Sequence, residues 1–217
     1  MRASIKSKYE GGAAGEAATA TLALGVGDLK LKASCTDATF GSRSPGGLAA
    51  AGVSLGVEKP GCFIIDHELQ PASTRFQFMS AANVAGKQVK LTYIHPQKRN
   101  ATLLEATLAV DPRNKLTAKY SFASGKGQLK YFYQHPSRLT LEPAYDFGTE
   151  SWSFSASKKM ADCHTLKLAY EAHRKVLGVE WISDDPRLGP FKVAASANLD
   201  SSKPPKLLLE KTWNYEL

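Results

Sequence analysis

KLTAKYSFASGKGQLKYFYQH, residues 115–135, decides how this chain folds. From Lys115 to Ser121 the polar residues Lys115, Thr117, Lys119 and Ser121 alternate with Leu116, Ala118, Tyr120 and Phe122. After Ser124-Gly125-Lys126-Gly127 the alternation resumes, with Gln128, Lys130 and Gln134 on one parity and Leu129, Tyr131 and Tyr133 on the other. Successive side chains of a strand point to opposite faces, so the stretch reads as a β-hairpin with one apolar face and one basic face. Glycines at 125 and 127 supply the positive φ angles that tight hairpins need. Phe132 alone breaks the polar parity.

The same pattern recurs along the chain. Arg2, Ser4, Lys6 and Lys8 oppose Ala3, Ile5 and Tyr9; Lys30, Lys32 and Ser34 oppose Leu29, Leu31, Ala33 and Cys35. Val89, Leu91 and Tyr93 alternate with Gln88, Lys90 and Thr92, and Trp152, Phe154 and Ala156 with Ser151, Ser153 and Ser155. The final run sets Leu207, Leu209, Trp213 and Tyr215 against Lys206, Glu210, Thr212 and Asn214. No window carries an i, i+3, i+4, i+7 stripe, so essentially no helix is expected. Punctuation yields about sixteen candidate strands, most of roughly eight to eleven residues. Short connections (GVGD, EKPG, DPRN, HPSR) tend to alternate with longer ones (EGGAAGEA, TDATFGSRSPGG, LDSSKPP). One short-turned rim and one looser rim is what a closed up-and-down meander produces. Composition is uniform throughout, which predicts a single β-barrel domain over 1–217.

The 217 residues carry a formal charge of +8, pointing to anionic partners. Cys35, Cys62 and Cys163 are odd in number and widely spaced, which gives neither a disulfide framework nor a zinc site. Met1 runs straight into a strand pattern, without a signal-peptide core or a transit segment. The most apolar run, Leu48 to Val57, falls far below the roughly 20 residues of a membrane helix.

Soluble and membrane barrels share this alternation, inside out. Runs of about 9–11 residues suit spanning strands, and sixteen strands enclose more space than side chains can fill. Tyr9, Trp152, Trp181, Trp213 and Tyr215 stand near run ends, as in interfacial girdles. The pattern alone leaves both architectures open.

MRASIKSKYE, GDLKLKASCTDATF, VEKPGCFII, RFQFM, VKLTYIHP and LEKTWNYEL, taken in order, resemble the plant chloroplast outer envelope pore proteins of the 24-kilodalton class. The resemblance runs the whole length. It implies an all-β, closed antiparallel up-and-down transmembrane β-barrel with an even strand number, about 12–16. It also implies a high-conductance, weakly selective, voltage-dependent pore of the plastid outer envelope. Such a pore passes triose phosphates, dicarboxylates, phosphate, sugars, charged amino acids and ATP. The family's catalytic and binding residues are none, so nothing of that kind is carried over.

On the membrane reading, the polar parity becomes a pore lining: Arg2, Lys6, Lys8, Lys30, Lys32, Arg75, Lys90, Lys115, Lys119, Lys130, Lys167, Lys192 and Lys206, with Glu105, Glu142, Glu171, Glu180 and Glu210. Leu104, Leu108, Leu116, Tyr120, Leu129, Tyr131, Leu166 and Leu168 should then meet lipid. Lysines at modest density attract small anionic metabolites without holding them. Carboxylates expected in loops (Glu10, Glu16, Asp37, Asp184, Asp185) should sit at the mouths.

His67, His95, His135, His164 and His173 lack metal-ligand spacing, with His95 and His135 read as turn residues before proline. SGKG at 124–127 lacks the phosphate-loop frame and its helix, and Asp184-Asp185-Pro186 reads as a turn. No cofactor, metal or enzymatic activity is expected. The competing readings are a soluble lipocalin-like barrel with an apolar ligand and a basic nucleic-acid-binding protein. The second would need aromatics on the lysine face for base stacking, but Tyr120, Tyr131 and Tyr133 take the other parity. Assembly into homo-oligomers stays open.

Overall fold

Alternating sequences of this kind can satisfy their backbone hydrogen bonds only by pairing with neighbours, and closure removes the last unpaired edges. The computed structural model describes residues 2–11, 16–37, 39, 51–70, 72–160, 162–185, 189–201 and 204–216. It contains the strands β1 (Arg2–Glu10), β2 (Glu16–Val26), β3 (Leu29–Thr36), β4 (Ser54–Lys59), β5 (Phe63–Glu68), β6 (Ser73–Val84), β7 (Lys87–Pro96) and β8 (Leu103–Asp111). They continue as β9 (Asn114–Ser121), β10 (Lys126–Gln134), β11 (Leu139–Asp146), β12 (Ser151–Lys159), β13 (His164–Glu171), β14 (Val176–Asp185), β15 (Gly189–Asn198) and β16 (Lys206–Glu216). Each strand pairs with its sequence neighbours, and β1 pairs antiparallel with β16 to close the barrel.

The quoted short connections lie at the barrel end that holds both termini, and the longer ones at the other end. A three-residue 3-10 turn, Gln97–Arg99, follows β7. In the stretch read as a loop after Thr36, Asp37 and Thr39 are helical. The rest of that loop, the first residues of the Leu48 to Val57 run and the kink at Pro71 lie outside the described residues. The opening hairpin turns two residues earlier than its sequence suggests. Lys126 and Gly127 already belong to β10, and Gly125 carries the positive φ of 64°.

Register fixes the size of the barrel. Cross-strand partners traced from Ile5 round all sixteen strands return to β1 displaced by about 18 residues. With strands 4.7–4.9 Å apart this gives a tilt of roughly 40° and a backbone diameter of about 30 Å. Ten tilted residues then rise about 25 Å, the height of an outer-membrane apolar band.

The apolar parity lies on the convex outside. Leu22, Leu55, Tyr120, Trp152, Phe154 and Leu168 are all exposed, whereas Ala144 is the one buried apolar residue among those described. No large side chain is fully buried among the described residues, so the interior is not an apolar core. That arrangement does not fit a lipocalin-like barrel, which keeps its greasy face inside. Aromatics cluster on the outside in contacting sets: Tyr120 against Phe122 at 5.0 Å, Tyr145 against Trp152 at 5.0 Å, and Trp152 against Phe154 at 5.9 Å. Trp181 departs from the girdle expectation, since it stands in the middle of β14 rather than at its end.

Candidate functional site

The polar parity forms the concave inner face. By register the residues expected to line a pore, from Arg2 to Glu210, share one parity: Lys6 opposes Thr19, Lys90 opposes Thr107, Lys115 opposes Phe132, Lys167 opposes Glu180, and Lys206 opposes Ser196. Crowding on this concave side leaves the Glu58 and Glu210 side chains only 18% and 19% exposed, although both are charged. Phe132, the one aromatic out of parity in the opening hairpin, also faces inward, and the Lys115 ammonium sits 5.4 Å from its ring centre.

Opposite charges meet across neighbouring strands. Lys6 pairs with Glu210 at 3.1 Å, Lys119 with Glu105 at 3.1 Å, and Lys192 with Glu180 at 3.1 Å. Lys32 pairs with Glu58 and Lys130 with Glu142 in the same fashion. Most of these ten residues stand away from their strand ends, so the pairs form a discontinuous belt round the wall. Toward the two rims, Lys8 pairs with Glu10 along β1 itself (3.3 Å) and Arg2 with Glu216 across β1–β16 (3.4 Å). Each cross-strand pair of this kind contributes roughly 0.2–1 kcal/mol to the sheet.

Sequence reasoning missed many of the acids. Glu10, Glu58, Asp66, Glu68, Asp146, Asp184 and Glu216 share the inner parity with the lysines. Glu58 was hidden in a stretch that reads as a turn, EKPG. Asp66 and Glu68 were hidden behind Phe63-Ile64-Ile65, where three apolar residues in a row conceal which one faces in. Asp184 and Asp185 end β14 and are not turn residues; they oppose Pro190 and Gly189. Cross-strand complementarity was the available signal: a lysine column on β3 calls for an acid on its neighbour, and Glu58 supplies it.

None of the histidines approaches a metal site, and no group of three or more potential ligands exists among the described residues. His95 lies inside β7, not in a turn, and its Nδ1 is 3.1 Å from the Thr102 hydroxyl. Cys35, Cys62 and Cys163 are free thiols. At the rim away from the termini, Lys175 reaches Asp200 at 2.8 Å, and that hydrogen-bonded carboxylate holds its ammonium above the usual lysine range.

Comparison with known proteins matches this architecture. A family model described as outer envelope pore protein 24 matches residues 1–216. The chain is 38% identical over 218 residues to outer envelope pore protein 24B, chloroplastic, of Arabidopsis thaliana, covering 100% of this chain and 99% of that one. It is 40% identical over 228 residues to outer envelope pore protein 24, chloroplastic, of Oryza sativa subsp. indica, with both chains covered completely. Among solved structures, a triple mutant of Rhodopseudomonas blastica porin superposes with a TM-score of 0.58 at 7% identity, covering 99% of this chain and 98% of that one. A second mutant of the same porin gives 0.58 at 8% identity with the same coverage. At such identities the likeness is one of fold. The full-length match to the family model and to relatives near 40% identity shows that this chain belongs to the outer envelope pore protein 24 family.

Proposed function

We propose that the chain is a porin-like channel of the chloroplast outer envelope, and a pore rather than an enzyme. It passes small charged metabolites (triose phosphates, dicarboxylates, phosphate, sugars, charged amino acids and ATP) with weak selectivity. The observation that carries this reading is the charged inner face of a sixteen-stranded barrel whose apolar face is turned outward. Arg2, Lys6, Lys8, Lys30, Lys32, Arg75, Lys90, Lys115, Lys119, Lys130, Lys167, Lys192 and Lys206, with Glu105, Glu142, Glu171, Glu180 and Glu210, line the water path. Lipid covers the outside.

Weak selectivity follows from the wall. Opposite walls stand about 20 Å apart once a side-chain layer is subtracted from the backbone diameter. Mobile ions screen a lone charge over roughly 8 Å at physiological strength. Most wall lysines also have a carboxylate on a neighbouring strand. The remaining excess of cations gives an anion preference that is clear at low salt and fades as salt rises.

Planar-bilayer reversal potentials, taken at a fixed KCl ratio and several absolute concentrations, test this. A small anion preference growing toward low salt is the expected result. A cation preference that grows toward low salt overturns it and assigns control to mouth carboxylates such as Glu10, Asp184 and Asp185.

A further inference from the structure

The inner wall is not uniform. On β12 the inward positions include Ser151, Ser153 and Ser155, a column of hydroxyls roughly 7 Å apart along the strand. The adjoining inward positions are also small: Ala144 on β11, Ala169 on β13 and Gly178 on β14. Short side chains on four consecutive strands hollow the wall into a recess of about 590 Å³.

Most charges round this recess are already satisfied. Lys130 is paired with Glu142 and Lys119 with Glu105. Glu171 takes Arg174 at 3.5 Å, and Asp146 accepts the backbone N–H groups of Gly148 and Thr149 at 2.7 and 3.1 Å. Lys167 stands apart. Its cross-strand neighbour Glu180 pairs with Lys192 at 3.1 Å, and its other neighbour is Ser157. Among the described residues Lys167 has no ion-pair partner, and the hydroxyls of Ser153 and Ser155 have no hydrogen-bond partner. One uncompensated ammonium thus lies beside a line of free hydroxyls, all lining one hollow.

We propose that this recess is a weak subsite for small hydroxylated anions. The carboxylate or phosphate of the solute meets the Lys167 Nζ, and its hydroxyl tail exchanges hydrogen bonds with Ser155 and Ser153. A bare anion gains only one exposed lysine, an interaction that water and salt largely cancel. A neutral polyol gains only the hydroxyls. A solute carrying both groups collects both contacts in one pose, and it is therefore delayed at the wall. Binding stays weak because the recess is open to water, and a conducting pore requires its solutes to leave.

The inference rests on the pore reading, and planar bilayers containing the full-length chain test the two separately. Gluconate is added to channels carrying KCl, with acetate and glucose as the bare anion and the neutral polyol. Gluconate should produce current noise and partial block at concentrations severalfold below those at which acetate or glucose has any effect. Glycerol phosphate against inorganic phosphate should give the same contrast. Lys167→Gln, and separately the double substitution Ser153→Ala with Ser155→Ala, should shrink the contrast severalfold. Lys90→Gln, on the inner face but outside the recess, should preserve it. Equal block by gluconate and acetate in the unaltered channel overturns the subsite while leaving the pore intact. So does a contrast that survives Lys167→Gln and is lost in Lys90→Gln. A chain that forms no channel overturns the pore reading and the subsite with it.

Discussion

Leu168→Arg is the most direct test of which way the barrel faces. Leu168 stands fifth of the eight residues of β13 and opposes Ala156 and Val179, both central in their own strands. It points outward and is 46% exposed. Near mid-depth on a lipid-facing surface, an arginine costs about 2–4 kcal/mol. With 1.4 kcal/mol per factor of ten, that lowers the folded-to-unfolded ratio by roughly 30- to 900-fold. The adjacent Ala169 opposes Ser155 and Gly178 on the wet inner face. Ala169→Arg therefore places the same charge in water, and folding should change by less than about 1 kcal/mol. Leu108, sixth of the nine residues of β8, also lies outward near mid-strand, so Leu108→Arg should carry a comparable penalty of about 2–4 kcal/mol. Urea titrations of folding into lipid vesicles measure all three. Equal penalties for Leu168→Arg and Ala169→Arg would refute the assignment of faces.

Neutralising Glu58, Glu105, Glu142 and Glu180 together as Gln should leave their lysines uncompensated, and reversal potentials at low KCl should then shift clearly toward anions. Gly189 opens β15 with φ +73°, and a Cβ there would fall 2.5 Å from the Thr212 carbonyl oxygen; Gly189→Ala should cost at least about 1–3 kcal/mol in the same folding assay. A Cβ at Gly56 would press on the Asp66 carboxylate at 2.7 Å and meet its other neighbours at ordinary contact distances of 3.6 and 3.7 Å; that side chain can swing aside, so Gly56→Ala should be far milder. Replacing Phe132 by Ser removes the ring beneath Lys115 and should leave folding within about 1 kcal/mol of the parent, because an exposed cation–π contact contributes only about 0.5–1.

The fold was legible because strand period is a strong constraint over many repeats. Lys115, Lys119 and Lys130 of the opening hairpin share one face, as their alternation predicts, since a one-residue slip would have inverted the whole set. Legibility failed where period is locally erased. At Phe63-Ile64-Ile65 both faces read as apolar, so the inward turn of Ile64, Asp66 and Glu68 emerges only from pairing with β4 and β6. At EKPG the proline and glycine drew Glu58 into the turn, yet the strand runs to Lys59. Along the inner parity the sequence reading therefore named most of the cations, leaving out Lys126 and Lys159, and left out more than half of the acids. That omission has a direction, because acids sit close to strand ends, where turn residues also gather.

Those missing anions change what a basic pore is. Lysines alone would hold the lumen at one sign of potential and filter strongly for anions. Here the belt reads, in strand order, negative then positive across β16–β1, positive then negative across β3–β4, and negative then positive across β8–β9. The sense reverses again at β10–β11 and at β14–β15. Each pair is a tangential dipole with its charges about 3 Å apart, set on a wall roughly 10 Å from the axis. Because successive dipoles oppose one another except at the closure, where β14–β15 and β16–β1 run in the same sense, their fields largely cancel toward the axis, beyond what screening alone brings. Near the wall the same charges are felt individually. Solute on the axis meets a nearly neutral tube, while solute that touches the wall meets local chemistry such as Lys167 and its serines. A barrel lined this way separates two properties that a uniformly basic lining would couple: it stays permissive for ions in transit, yet it can still distinguish solutes that dwell at its surface.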